Sequence, residues 1–421
     1  MNKAYFLGID FGTSGARAIA IDAAENTVQT ITEKFTQQTP DVWRNVLFSL
    51  LDQLEPEIRG NLQAIAINGT SGTVLLCDEL GQPITETLLY NDDRSRSVLP
   101  QMDSFVPPNH LVRSATSSLA KLLWWRSQGL TETAHYFLHQ ADWLSFLLHG
   151  KLGHSDYHNA LKLGFDVAQL NYPDWLKSHS LFALLPQVTT PGAEIAYIAP
   201  NIAKLFKIPA KCEIKAGTTD SIAAFMASDA VKLGDAVTSL GSTLVLKLLS
   251  ENPVNDLNSG VYSHRFGNLW LTGGASNTGG AVLKHFFDDE TLAALSEAID
   301  PTQPSGLDYY PLLKPGDRFP INDPQLAPRL SPRPDDDQQF LHGLLEAIAN
   351  IEAMGYEKLQ TLGASPLNQV ITAGGGAKNQ TWLAIRRRHL NCPVSISAKP
   401  DAAYGSARLA RRGSLDNWYT K

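Results

Sequence analysis

An acidic residue closes the first apolar run of this chain, and small residues follow at once: Leu7-Gly8-Ile9-Asp10-Phe11-Gly12-Thr13-Ser14-Gly15. Two short apolar runs around a small-residue turn predict a β-hairpin. Gly12 and Gly15 permit backbone angles that gather several N–H groups into one concavity, to which Thr13 and Ser14 add hydroxyls. Such a turn suits phosphate oxygens, and Asp10 suits a divalent cation, directly or through water. An ordinary tight hairpin with a surface aspartate shares this pattern, and two later segments favour the phosphate reading. Thr238-Ser239-Leu240-Gly241-Ser242-Thr243-Leu244 is again a small-residue turn between apolar strands. Val370-Ile371-Thr372-Ala373-Gly374-Gly375-Gly376 runs from an apolar strand through a triple glycine into a helix start at Asn379-Gln380-Thr381-Trp382. A glycine-rich strand-to-helix turn lets a nucleotide lie against backbone, with a helix N-terminus facing it.

These turns need a frame of alternating strands and helices. Ala64-Ile65-Ala66-Ile67-Asn68 and Val74-Leu75-Leu76-Cys77 read as strands around Gly69-Thr70-Ser71-Gly72-Thr73. Residues 119–126, 140–148 and 340–349 have helical spacing, and their aromatic residues read as core. The Pro-rich stretch around 301–335 reads as surface loop. Strand-turn-strand units near both residue 10 and residue 240 suggest two similarly built domains. A length of 421 residues favours two domains. The boundary is expected near 208–216, giving an N-terminal domain over 1–212 and a C-terminal domain over 213–421.

Composition narrows the function. A net charge of −7 leaves no electrostatic footprint for nucleic acid. The Arg386-Arg387-Arg388 run, like Arg408, Arg411 and Arg412, reads as a solvated helix face. No apolar run reaches membrane-spanning length, and no signal-peptide pattern opens the chain. Cys77, Cys212 and Cys392 lack metal-ligand spacing and read as reduced, mostly buried residues of a cytoplasmic protein. The eleven histidines form no HExxH pair.

Taken together, these segments resemble the FGGY family of carbohydrate kinases. Asp10-Phe11-Gly12-Thr13-Ser14-Gly15-Ala16-Arg17 is similar to its first phosphate motif, Ser239-Leu240-Gly241-Ser242-Thr243 to its second, and Ala373-Gly374-Gly375-Gly376-Ala377-Lys378-Asn379 with Trp382 to its adenosine motif. Tyr90-Asn91-Asp92-Asp93-Arg94 resembles the sugar-side loop, and Gly316-Asp317-Arg318-Phe319-Pro320 a loop before the long helix. The chain departs from the family by its shortness and by Thr70-Ser71-Gly72 where a Met-His-Gly signature is usual. Within the family it looks most like the short cyanobacterial and plastid members associated with D-ribulose.

The resemblance implies an α/β, two-domain actin-like ATPase fold (ribonuclease H-like) with a cleft between the domains, which would close on binding both substrates. It implies ATP and Mg2+, with ATP on the second domain and a small-molecule sugar held mainly by the first. The implied reaction is phosphorylation of a terminal hydroxyl of a ketopentose, D-ribulose first and D-xylulose as alternative. A sugar-sensing or weakly ATP-hydrolysing regulator is the reading from another class, since a fold alone does not confer activity.

Asp220, in Gly217-Thr218-Thr219-Asp220-Ser221, matches the family's catalytic aspartate and would act as general base. Ahead of a helix at 221–226, it is subject to two effects. The helix N-terminus favours the carboxylate, and burial favours the neutral acid. Asp10 would lie across the cleft from Asp220 and help hold Mg2+, and both aspartates would touch the substrate. Gly12, Thr13 and Ser14 would contact the transferring phosphate, and Gly241, Ser242 and Thr243 the phosphates from the other domain. Gly375 and Gly376 would admit the nucleotide to the backbone, Asn379 would bond adenine, and Trp382 would either stack on adenine or pack in the core. Ser71 and Asp92 would bind sugar, with Arg94 supporting their loop and Asp93 solvated. Arg318 is open between a loop salt bridge and a cleft position.

Overall fold

The computed structural model describes residues 3–399 and 401–418; the outer ends of the two expected domains, residues 1 and 421, lie outside them. The chain divides into two compact units, one taking the chain up to Ala227 together with the segment from Asp401, the other the stretch between.

The first unit opens with β1 (Tyr5–Phe11), β2 (Gly15–Asp22) and β3 (Thr27–Lys34), an antiparallel meander. After α1 (Pro40–Asp52) and α2 (Pro56–Arg59), β4 (Leu62–Gly69) pairs parallel to β1. Then follow β5 (Val74–Cys77), α3 (Ser118–Ser127), β6 (Tyr136–His139), α4 (Gln140–His149), β7 (His154–Asp156), α5 (Tyr157–Ala160), α6 (Asp174–Lys177), β8 (Gln187–Thr189), β9 (Glu194–Tyr197) and α7 (Pro200–Phe206). Finally β10 (Glu213–Thr219) runs directly into α8 (Asp220–Ala227). The sheet order is β3-β2-β1-β4-β10-β9.

Alternation in β1 and β4 explains the layers. Leu7, Ile9, Phe11, Ile65 and Ile67 join Trp43, Leu47 and Leu50 of α1 in one core. Gly8, Asp10, Ala66 and Asn68, the intervening residues, belong to the other face. Helix α1 starts where Thr39 accepts a bond from the Val42 N–H and Pro40 takes the first turn.

The second unit repeats the plan. An antiparallel hairpin of β11 (Asp235–Leu240) and β12 (Leu244–Ser250) is extended by β13 (Tyr262–Phe266) and β14 (Leu269–Ser276). Helices α9 (Gly280–Phe286), α10 (Asp289–Ala298) and α11 (Asp337–Thr361) precede β15 (Gln369–Ala373), parallel to β11, then α12 (Gln380–Leu390) and β16 (Val394–Ile396). Its sheet order is β13-β14-β12-β11-β15-β16. In each sheet the first strand of the opening hairpin takes a later parallel neighbour, as the two strand-turn-strand signals suggested, although in the second sheet β14, not β13, lies beside β12. Residues 301–335 are mostly loop, as expected. The chain then returns to the first unit as α13 (Ala402–Arg412).

The expected boundary at 212/213 is displaced. The Pro209 segment is only the turn between α7 and β10, and β10 bonds to β4 inside the first sheet. Asp220 therefore belongs to the first unit. Arg387 and Arg388 are exposed as expected, but the rest of the arginine clusters is not a solvated face. Arg386 is 1 % exposed and forks onto both Glu352 oxygens. Arg408 is buried and donates to the Met226 carbonyl, while Arg411 and Arg412 converge with it on Glu25. Guanidinium forks reach buried carboxylates at fixed geometry, which a charge count along a helix does not reveal.

Candidate active site

In the first unit the parallel strands carry the site at one end. Asp10 is level with Asn68, and Asn68 with Thr218. The 12–14 turn, the 70–73 turn and Asp220 therefore all leave the sheet where β1, β4 and β10 end. Ligands gather at this end of parallel strands in open α/β sheets.

Helix α13 backs this region. A Cβ on Gly8 would lie 2.1 Å from the Ala407 nitrogen, and one on Gly405 would lie 1.8 Å from the Ala223 carbonyl oxygen. These two glycines let one helix press on β1 and on α8 together. Asn68 Nδ2 donates to Ser406 Oγ at 2.8 Å, adding a polar tie.

Asp10 feels this enclosure. Burial, then the charge of Asp220, pushes its carboxyl up to about 7 against the pull of Arg17. Its Oδ1 is buried and accepts no hydrogen bond among the described residues. A buried, unpartnered carboxylate oxygen beside a second acid fits a divalent cation, which would stabilise both charges. Asp220 begins α8, and its Oδ1 accepts from the Ser221 N–H at 2.6 Å. The adjoining strand is braced from α5, where His158 Nδ1 lies 2.7 Å from Thr218 Oγ1.

The 12–14 turn is held open from below. Gly12 N–H donates to the Gly15 carbonyl at 3.0 Å, and Gln38 Nε2 donates to the Gly12 and Thr13 carbonyls. Gln38 is itself fixed by the Trp43 indole. Thr13 and Ser14 are exposed, so their hydroxyls face solvent-accessible space.

In the second unit, β11 and β15 end side by side, Ser239 being level with Ala373. The Gly241-Ser242-Thr243 turn is stapled by the Gly280 N–H on the Gly241 carbonyl at 2.8 Å and the Ala281 N–H on the Ser242 carbonyl at 3.1 Å. Gly374 has φ of 88° and packs so closely that a Cβ would sit 2.7 Å from the Leu240 carbonyl oxygen. At Gly375 an added Cβ meets nothing within 4 Å, so the backbone is open to an approaching group there. That opening fits a nucleotide.

Trp382 corrects the stacking expectation. It is 1 % exposed, donates Nε1–H to the Leu345 carbonyl at 3.1 Å, and supports Gly376 from beneath, where a Cβ would be 2.7 Å from the indole. Asn379 is likewise committed: its oxygen caps α12 through the Trp382 N–H, and its amide donates to Ser296. Both shape the glycine turn rather than presenting a free face.

The segments expected to bind sugar are close-knit. Thr70 takes the Gln140 oxygen with both its N–H, at 3.0 Å, and its hydroxyl, at 3.1 Å. Ser71 is half-buried in that turn. Asp92 accepts from the Arg94 N–H and Nε, and Arg94 also pairs with Glu86 and lies 5.1 Å over the Trp124 ring. Arg94 therefore supports the loop as expected, and Asp93 stays exposed on Arg96. Arg318 is exposed, whereas its neighbour Asp317 is buried under Ser276 and Tyr310. Sequence reasoning missed Gln140, whose only signal was a polar residue opening an apolar helix, and Asn68, a polar end to an apolar strand.

Two sheets of like order, each ending in glycine-rich turns, with paired acids on the first, define a two-domain actin-like ATPase fold of the sugar-kinase type. The N-terminal domain of the FGGY family of carbohydrate kinases matches residues 5–227 and the C-terminal domain residues 236–413. The chain belongs to the FGGY family of carbohydrate kinases, and it is an ATP-dependent sugar kinase that uses Mg2+. It is 25 % identical to the xylulose kinase of Bacillus subtilis (strain 168) over 99 % of this chain and 89 % of that protein. Among solved structures it resembles the xylulose kinase from Rhodospirillum rubrum, with a TM-score of 0.84, 20 % identity and coverage of 96 % and 89 %. It also resembles one from Brucella ovis described as a "xyloylose kinase", at 0.83, 22 %, 96 % and 90 %. Among the described residues no helix is long and apolar enough to cross a membrane.

Proposed function

We propose that the acceptor is a ketopentose phosphorylated at a terminal hydroxyl, with Asp220 as general base. The observation that carries the base assignment is the placement of Asp220 at the end of β10 and the start of α8, beside the buried Asp10. The xylulose kinase names of the relatives support a pentulose. D-ribulose is the acceptor we favour, because Thr70-Ser71-Gly72 replaces the Met-His-Gly usual in the family and the chain is short. D-xylulose is the reading the named relatives favour.

Phosphoryl transfer asks the protein for alignment and charge stabilisation more than for covalent chemistry. The sugar hydroxyl gives its proton to Asp220 as its oxygen bonds to the γ-phosphorus, and the bond from phosphorus to the ADP oxygen breaks. The N-terminus of α8 favours negative charge on Asp220 before transfer. Ser71 and Asp92 orient the sugar. Asp10 holds Mg2+, which when bound supplies charge neutralisation at the terminal phosphates. Gly12, Thr13 and Ser14 donate to the transferring phosphate, Gly241, Ser242 and Thr243 to the remaining phosphates, and Gly375 and Gly376 seat the nucleoside.

The test is ADP release with Mg-ATP across ketoses, polyols and aldoses. Stimulation by D-ribulose above D-xylulose supports the favoured acceptor, and the reverse order replaces it with D-xylulose. Stimulation by neither pentulose removes the ketopentose reading.

A further inference from the structure

Lys121 lies on α3 with 0 % of its surface exposed. Its ammonium donates to the Gly72 carbonyl at 2.7 Å and to the Leu89 carbonyl at 2.5 Å. Gly72 belongs to the turn carrying Ser71, and Leu89 begins the loop carrying Asp92. One side chain therefore joins two segments 17 residues apart, taking one carbonyl from each. Three residues on, Trp124 lies under Arg94, which holds Asp92. A single helix thus sets both segments.

The arrangement is costly. A buried ammonium is tolerated when it is paired with a carboxylate, and here its two acceptors are neutral carbonyls. Burial, then nearby Lys162, pushes Lys121 down to about 7 against the pull of Asp92. A methionine would fill a similar volume at lower cost if packing alone were required. Lysine carries three donors, and two are used on the described residues.

We propose that Lys121 is a positioning residue for the sugar acceptor, fixing the spacing between the Ser71 turn and the Asp92 loop. The proposal rests on the reading that these two segments bind sugar. Gly72 has φ of 85°, its carbonyl accepts from Lys121 of α3, and the turn is also held by Gln140. Loss of the ammonium leaves the Leu89 side tied to the turn by the Leu88–Val74 backbone pair and the Tyr90 N–H on Thr73 Oγ1, so the Leu89 carbonyl shifts without the segment detaching, while the Gln140 bonds keep the turn folded. Sugar binding then weakens, and the nucleotide turns of the second unit are untouched.

Lys121→Met and Lys121→Gln, with Ser71→Ala as reference, are assayed for KM of D-ribulose, D-xylulose and ATP, for kcat, and for melting temperature. Losing two charge-assisted hydrogen bonds raises the KM of the preferred pentulose at least about tenfold in Lys121→Met, with ATP KM within about twofold. Lys121→Gln, which keeps an amide donor, recovers part of the loss. Equal rises in both KM values, or a loss that follows the melting temperature alone, reduce Lys121 to a structural role and overturn the proposal. A sugar KM shifted by Ser71→Ala but unchanged by Lys121→Met overturns the proposal and leaves the sugar-side reading standing. No shift in any of the three variants overturns that reading and the proposal with it.

Discussion

Gly8 leaves no room for a methyl group under Ala407: a Cβ there would stand 2.1 Å from the Ala407 nitrogen and the same distance from the Ala403 carbonyl oxygen. A residue near the start of the chain thereby decides how close its last long helix comes to β1, and so how deeply Asp10, two residues along on the same face, is enclosed. Gly8→Ala must push α13 outward. The expected cost is about 2 kcal/mol or more, read as a lowered melting temperature, with reduced kinase turnover in the protein that remains folded. An unchanged melting curve would show that α13 yields freely at this contact.

Asp220, the proposed general base, gives the kinetic test of the mechanism. Asp220→Ala should lower kcat by about 10²–10⁴, the range for a general base, while ATP binding by fluorescence or calorimetry stays near that of the parent. Near-normal turnover would remove Asp220 from the mechanism.

Asp10 predicts a pH signature in the metal-free protein. Its carboxyl is raised in the fold to about 7 by burial and by Asp220, against about 4 for an unfolded carboxylate. The folded state therefore holds this proton more tightly than the unfolded one. The stabilisation is full below pH of about 4 and is lost as pH rises to about 7, amounting to a few kcal/mol at most. In chelator, Asp10→Asn should flatten that slope and raise the melting temperature above neutrality. It should also weaken the Mg2+ dependence of turnover. A parent-like slope in the variant would assign the titration elsewhere.

The buried pair in the second unit gives a stability test. Arg386 meets both Glu352 oxygens at 2.6 and 2.7 Å and donates to Thr372. Arg386→Met leaves Glu352 buried without its partner and should cost about 3–5 kcal/mol, most of it recovered when Glu352→Leu is added. Chemical denaturation of the single and double variants checks this. Additive losses would show that the two residues act independently.

Much of the candidate site was readable locally. The glycine and hydroxyl residues of the 12–14, 241–243 and 374–376 turns work through backbone angles and neighbouring N–H groups, which are properties of consecutive residues. The strand that ends at Asn68, the helices at 118–127 and 140–149, and the long helix inside 337–361 follow from apolar spacing. Trp382 was the ambiguous one. Its spacing from Asn379 suits either a stacked ring or a core ring, and the distinction rests on α11, whose Leu345 carbonyl takes the indole N–H.

Turn chemistry, strand order within each hairpin and membership of a phosphate-handling class were thus determined by the sequence itself, because each depends on contacts a few residues long. Only the tertiary structure decided that Asp10 and Asp220 share one unit, that α13 returns from residue 402 to seal it over Gly8 and Gly405, and that Lys121 spans Gly72 and Leu89. Those relations depend on which distant surfaces fit at van der Waals distance. Periodicity says that a face is apolar or small, and it does not say which partner, hundreds of residues away, will occupy it.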